Sequence, residues 1–265
     1  MQHDSSTSWP PHRAVANLPG SLPMGGVVPR TPVHAFESTP DALRWKGASS
    51  SSLEASAQRR DIELGGLLAF VIDFVASAAE TDVLIAASER MGYRDEAPGI
   101  VTPPGMRMNK SVHWVADEEL LAPIFERIGH LLPSSLHGDM LFPSFSHRLN
   151  MYRYDDQDVF NLHTDGSWPG YSLSDDRQEM QEWPDNIRSG LTMLLYLNDQ
   201  DDGVQGGNTR LFRPDGTWVD VSPQKGSALF FRHGFGKDSV RHMGCQVSGA
   251  VSKYVARINV MYRSI

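Results

Sequence analysis

The pattern of apolar and polar positions divides the chain near Ile62. Residues 1–60 are rich in proline, serine and glycine and hold few apolar pairs. Ordering such a stretch costs backbone entropy that little buried area repays, so a flexible N-terminal segment is expected there. Trp9, Trp45 and a few short apolar pieces leave open the alternative that it wraps the domain or covers the active site. Residues 61–265 are expected to form one domain of roughly 200 residues, enough for a full core. The run from Leu67 to Val75 reads as a strand. Ser77 and Glu80 then form a capping box, Val83, Leu84, Ala87 and Met91 recur at helical spacing, and Gly92 stops the run. The spacing predicts a helix over 78–91. Pro98 to Pro104 reads as a loop. A second helix is predicted over 118–131, capped by Asp117 and ended by Pro133; Pro123 falls inside it, so it either kinks or starts later.

From Leu149 onward short strands alternate with Gly, Asp and Pro turns. The expected strands are 148–154, 159–163, 190–197, 208–212, 217–221, 227–232, 238–242 and 252–262. Such a series points to a mainly β fold with flanking helices, an antiparallel barrel or jelly roll. Residues 166–188 are too polar for a strand pair and read as a long functional insertion.

Composition narrows the function classes. A net charge of −8 over 265 residues argues against a nucleic-acid partner held by phosphate neutralisation. Cys245 is the single cysteine, so no intramolecular disulfide forms, which fits a reducing compartment and a cytoplasmic location. No apolar run approaches the roughly 20 residues of a membrane span, and no secretory signal is expected. Oligomeric state is not legible.

The chemistry centres on Leu149 to Gly166: a strand, a polar turn, a second strand, then His163-Thr164-Asp165 at its mouth. An imidazole and a carboxylate two residues apart, joined by a second His, form a two-His, one-carboxylate face. That face leaves three positions open on a non-haem Fe(II). His137-Gly138-Asp139 is a second copy of the pattern, but it follows Pro133 in an expected loop and is not assigned to metal. The partner His is either His233 or His242, and spacing leaves both open. On the last strand, alternation places Lys253, Val255 and Arg257 on one face. If that face is inside, its cations need an anion, which a dicarboxylate supplies. If Tyr254, Ala256, Ile258 and Val260 are inside, the cations are solvated. Arg107 and Asn109, with His113 and Trp114 beyond them, belong to a pocket-lining strand or to a solvated edge. Trp168, in the insertion, is the third substrate candidate.

In order along residues 67–263, these pieces resemble the prolyl-4-hydroxylase-like branch of Fe(II)/2-oxoglutarate dioxygenases. The resemblance runs through Arg148–Tyr154, His163–Gly166, Leu191–Asn198, Gly206–Phe212, Gly226–Phe231, His242-Met243-Gly244 and Lys253–Arg263. It implies a double-stranded β-helix. It implies iron held by His163, Asp165 and His242, which breaks the tie with His233. It also implies that Lys253 binds the distal carboxylate of 2-oxoglutarate, helped by Tyr154, with Arg257 as the fallback. The implied cofactors are Fe(II), 2-oxoglutarate and O2, with ascorbate as a candidate reductant. The implied reaction is oxidation of a C–H bond with succinate and CO2 as co-products. The carboxylate of Asp165 favours hydroxylation over halogenation. The expected substrate is a small molecule such as an amino acid or specialised metabolite, and the alternative is a prolyl or lysyl residue in a protein. Two rivals from other classes are a non-catalytic jelly-roll binding protein and a cupin-like enzyme that does not use Lys253. Three departures from the family pattern stand out: Met243 after the distal His, one extra residue between His242 and Lys253, and Asn208 in the Gly-Gly-x-Thr segment.

Overall fold

The computed structural model describes residues 9–45 and 57–264. Its longer strands are β1 (His12–Ser21), β2 (Val27–Phe36), β3 (Gln58–Asp61), β4 (Ala69–Asp73), β5 (Lys110–Val115), β6 (Asp139–Phe145) and β7 (Arg148–Tyr154). They continue with β8 (Phe160–His163), β9 (Ile187–Tyr196), β10 (Thr209–Phe212), β11 (Trp218–Val221), β12 (Ala228–Arg232), β13 (His242–Gly244) and β14 (Lys253–Arg263). Two helices, α1 (Ala78–Met91) and α2 (Glu118–Ile128), complete the frame. The large sheet runs β3-β4-β12-β9-β14-β7-β5-β2-β1, with Ala97–Pro98 beyond β1 and β6 paired to the far half of β14. A smaller sheet runs β8-β13-β10-β11. The result is a mainly β jelly roll, as the strand spacing predicts.

The question of which face of β14 lies inside has a simple answer: both do. Ala256, Ile258 and Val260 join Leu84, Ala87, Leu121 and Ile124 of the helices in one apolar cluster. On the other face Val255 clusters with Leu229 and Phe231 of the large sheet, Leu211 of the small one and Val240. A strand covered on both sides carries no polar/apolar alternation, so its periodicity cannot show which face holds a site. The helices are locked at one end. Ser77 and Glu80 form the predicted capping box, and Glu80 also takes the guanidinium of the buried Arg127 on α2 at 3.0 Å. Removing either partner of such a buried pair costs about 3–5 kcal/mol.

Four expectations need correction. The flexible segment expected over 1–60 is not seen over residues 9–45, which form β1 and β2 and extend the large sheet. Thr31, Val33 and Ala35 alternate into the interior of β2. The prolines that obscure this strand pattern sit near the sheet margin, where a missing amide is tolerated, and β1 slips register at Ala14/Ala16 and Leu18/Gly20. Residues 58–60 belong to β3, and the remainder of that expectation falls on residues 1–8 and 46–56, outside the described residues.

Second, the insertion 166–188 does contain a strand pair, Tyr171–Leu173 with Met180–Glu182. Its apolar pair Leu173 and Met180 packs on Val15, Val33 and Ala35. Its tip Arg177 donates to Asp117 and to the Phe36 carbonyl. Third, α2 ends at Ile128 and a short turn of tighter helix follows over Gly129–Leu131. Asp117 occupies the N-cap position without capping, because Arg177 takes its carboxylate. Fourth, the strand expected over 238–242 begins only at His242. The open choice for Lys110–Val115 also resolves: β5 lies between β2 and β7 and is no solvated edge.

Candidate metal and co-substrate site

His163 ends β8 and His242 opens β13, and the two are direct cross-strand partners. Pairing therefore places both rings on one side of the small sheet, and Asp165 follows two residues past His163. The Nε2 of His163 lies 3.8 Å from one Asp165 oxygen, and the Nε2 of His242 lies 3.9 Å from the other. One donor atom from each residue falls within 4.8 Å of the other two. The Nδ1 of His163 donates to the Asn161 carbonyl at 2.7 Å, and that of His242 to the Val240 carbonyl at 3.1 Å. A carbonyl only accepts, so in each neutral ring the proton sits on Nδ1 and Nε2 presents its lone pair. The His163 ring stacks on Phe160 at 3.7 Å, which fixes its plane.

The electrostatics suit a dication. Burial holds the His163 imidazole down to about 3, with His242 adding to the effect. Burial likewise lowers His242. Burial alone raises Asp165, but Arg257 and the two histidines outweigh it and hold the carboxyl well below its usual range. At neutral pH the cluster is thus two neutral imidazoles and one carboxylate, the protonation state a metal requires. The donor set and its fixed tautomers fit iron.

His233 has another task. Its Nδ1 lies 2.7 Å from Thr192 Oγ1, which donates to Asp165 at 2.6 Å. Its Nε2 lies 2.8 Å from Ser189 Oγ, which accepts the Trp168 amide at 2.8 Å. Only one set of proton positions satisfies this chain. Thr192 spends its hydrogen on Asp165, so it accepts from His233 Nδ1, and Ser189 donates to Nε2. Both ring nitrogens are occupied, so His233 orients Asp165 and is not a ligand. Arg257 Nε donates to the same Asp165 oxygen at 3.1 Å.

A cavity joins this cluster to Lys253 and Tyr154. Lys253 is 2 % exposed, its ammonium donates to the Gly207 carbonyl, and it lies 5.2 Å from the Tyr154 ring centre. Burial pushes its pKa down to about 8. Among the described residues no carboxylate pairs with it. A buried cation facing a cavity fits the distal carboxylate of 2-oxoglutarate. Tyr154 pairs directly with Lys253 across β7 and β14.

Of the three substrate candidates, Trp168 lines an open cleft of about 700 Å³ above His163 and Asp165. Arg107 and Asn109 reach none of the cavities around the cluster. Arg107 is 1 % exposed and turns inward onto the Asn109 and Asp95 carbonyls. Thr192, Ser189, Tyr152, Arg148, Asn150 and Asn259 also surround the site and were not singled out from sequence. The available signal was the alternation Arg148, Asn150, Tyr152, Tyr154, whose face only the β7–β14 register reveals. Met243 points away by strand alternation, between the inward His242 and Gly244. His137-Gly138-Asp139 lies elsewhere: His137 is exposed and bonds Asp238 at 2.8 Å.

The sequence profile of the 2OG-Fe(II) oxygenase superfamily matches residues 149–261. Among solved structures, a viral collagen prolyl hydroxylase from Paramecium Bursaria Chlorella virus-1, in complex with 2OG, is 22% identical with a TM-score of 0.51, over 77% of this chain and 100% of that one. A prolyl hydroxylase from Trichoplax adhaerens, in complex with a hypoxia inducible factor peptide fragment, is 15% identical with a TM-score of 0.54, over 84% of this chain and 95% of that one. No curated protein matches.

Proposed function

Since this chain belongs to the 2OG-Fe(II) oxygenase superfamily as an Fe(II)- and 2-oxoglutarate-dependent dioxygenase, we propose that it hydroxylates a C–H bond of a small molecule such as an amino acid or specialised metabolite. The observation that carries the reading is one cavity lined by His163, Asp165, His242, Lys253 and Tyr154 together. When bound, iron and 2-oxoglutarate supply the oxidising power that places one oxygen atom of O2 in the substrate, leaving succinate and CO2. The chain supplies geometry. Asn161 and Val240 hold the ligand rings, Arg257 and Thr192 hold Asp165 ionised, and Lys253 seats the co-substrate carboxylate. Leu194, Val255 and Phe160 line the same cavity and keep water from the reacting centre.

A second reading, hydroxylation of a prolyl residue in a peptide, draws support from the neighbours' names and from the open cleft beneath Gly99–Thr102. Those names favour it over the first, at identities that carry only the fold. The test is iron-dependent succinate formation from 2-oxoglutarate, alongside 2-oxoglutarate binding to the anaerobic Fe(II) protein. Failure of both removes the proposal. Coupled turnover with small molecules or with proline-containing peptides then separates the readings. No helix among the described residues is long and apolar enough to cross a membrane. Ascorbate and a cytoplasmic location remain part of the proposal.

A further inference from the structure

The floor of the site is the β7–β14 pair, and its inward positions form a ladder. Lys253 stands beside Tyr154, Val255 beside Tyr152 and Arg257 beside Asn150. Two residues further along each strand stand Asn259 and Arg148. The metal cluster sits over the middle of this ladder, because Arg257 holds Asp165. The Lys253 end is taken by the co-substrate on the reading above. The opposite end has its own small cavity, lined by Arg148, Asn150, Arg257, Asn259, Tyr171 and Trp168. It meets the open cleft at Ile100, Trp168 and Arg257, and that cleft contains His163 and Asp165.

The chemistry of this second cavity is one-sided. It has two guanidinium groups, two carboxamides and a phenol, and no acidic residue lines it. Arg148 is 7 % exposed and Arg257 5 %. Arg257 has Asp165 as its counter-ion. Arg148 is pinned by the Pro98 carbonyl at 2.6 Å and by His113 Nδ1 at 2.9 Å, both neutral. Burial keeps His113 neutral. Among the described residues Arg148 has no carboxylate partner, and a buried cation in that position calls for an anion. The side-chain oxygens of Asn150 and Asn259 are buried with no hydrogen-bond partner. A buried acceptor left unpaired costs about 1–3 kcal/mol, so each calls for a donor.

We infer that this cavity is the subsite for the substrate's own free carboxylate, seated on Arg148, with an adjacent N–H or O–H donor on Asn150 and Asn259. The substrate class is a small α-amino or α-hydroxy acid, its oxidised carbon projecting from the subsite toward the metal. The inference rests on the proposed dioxygenase activity and sharpens it. An internal peptide residue has no free carboxylate, so the subsite selects against it.

The test uses the full chain with Fe(II) and 2-oxoglutarate under air. Small α-amino and α-hydroxy acids are each paired with their primary amides, and succinate above the substrate-free rate is measured. The expected result is stimulation by at least one acid, with its amide weaker by about a hundredfold in kcat/KM. Arg148→Met then removes most of the acid's advantage over its amide. If Arg148→Met does not fold, Asn259→Leu replaces it, with an expected rise of about tenfold in KM for the acid. Amides as effective as acids, no acid that stimulates, or an unchanged acid preference in the folded variant overturns the subsite. Substrate-free, iron-dependent succinate and anaerobic 2-oxoglutarate binding serve as the separate control. If both are absent, the dioxygenase reading itself has failed; if they are present with acid–amide parity, only the subsite has.

Discussion

His137-Gly138-Asp139 and His163-Thr164-Asp165 share a residue pattern and differ in everything that decides chemistry. The first is a hairpin turn. Leu136 pairs with Asp139, and the two residues between them have φ of 52° and 93°. Both central residues in the left-handed region define a turn that favours Gly or Asn, so His137 stands where its backbone is strained. Its ring reaches outward to Asp238. The second copy ends a strand whose partner contributes another His, and backbone carbonyls fix both imidazoles while Thr192 and Arg257 fix the carboxylate. A His and an Asp two residues apart make a metal site only where tertiary pairing brings a third donor and removes the water.

The largest effect expected from breaking this contrast is loss of the metal. His163→Ala removes a donor whose lone pair nothing else supplies, so iron binding and succinate formation fall to background, while His137→Ala keeps both. Metal titration of the two variants checks this. Next comes the co-substrate end. Lys253→Met weakens 2-oxoglutarate binding by about a hundredfold, since it leaves a buried carboxylate unpaired. The wild-type affinity carries a matching pH signature. Lys253 holds its charge below about 8 and loses it above, so affinity is level below that pH and declines above it. The variant shows no such inflection. A cupin-like enzyme would be indifferent to both changes.

The positioning chain gives a smaller effect. Thr192→Val and His233→Phe keep all three ligands and the Arg257 bond but hold Asp165 less firmly, so iron affinity falls by about 10- to 100-fold, which equilibrium dialysis measures. The smallest effect belongs to the turn. His137→Asn suits the left-handed backbone and removes only an exposed contact, so stability shifts by about 0.5 kcal/mol or less in a denaturant melt.

Much of the fold is legible where local rules govern it. The Ser77–Glu80 box sets the start of α1, and turn residues mark most strands of the jelly roll. The N-terminal hairpin is hidden because Pro19, Pro29 and Pro32 lower the strand signal, and its burial comes from neighbours far along the chain. The pair Tyr171–Leu173 and Met180–Glu182 is hidden because Leu173 and Met180 alone carry its apolar face. At the site, His163 and Asp165 are legible as a pair. The choice between His242 and His233 is not, since it depends on the β8–β13 register and on hydroxyls from β9. Arg257 differs again: alternation places it on the same face as Lys253, but which face holds the site, and its bond to Asp165, exist only in three dimensions.

The most direct measurement is succinate formed from 2-oxoglutarate under air, with and without Fe(II), in wild type, His163→Ala and His137→Ala. Iron-dependent succinate in wild type and His137→Ala, with none in His163→Ala, is the predicted result. Equal activity in both variants, or equal loss in both, contradicts the assignment of the metal to His163, Asp165 and His242.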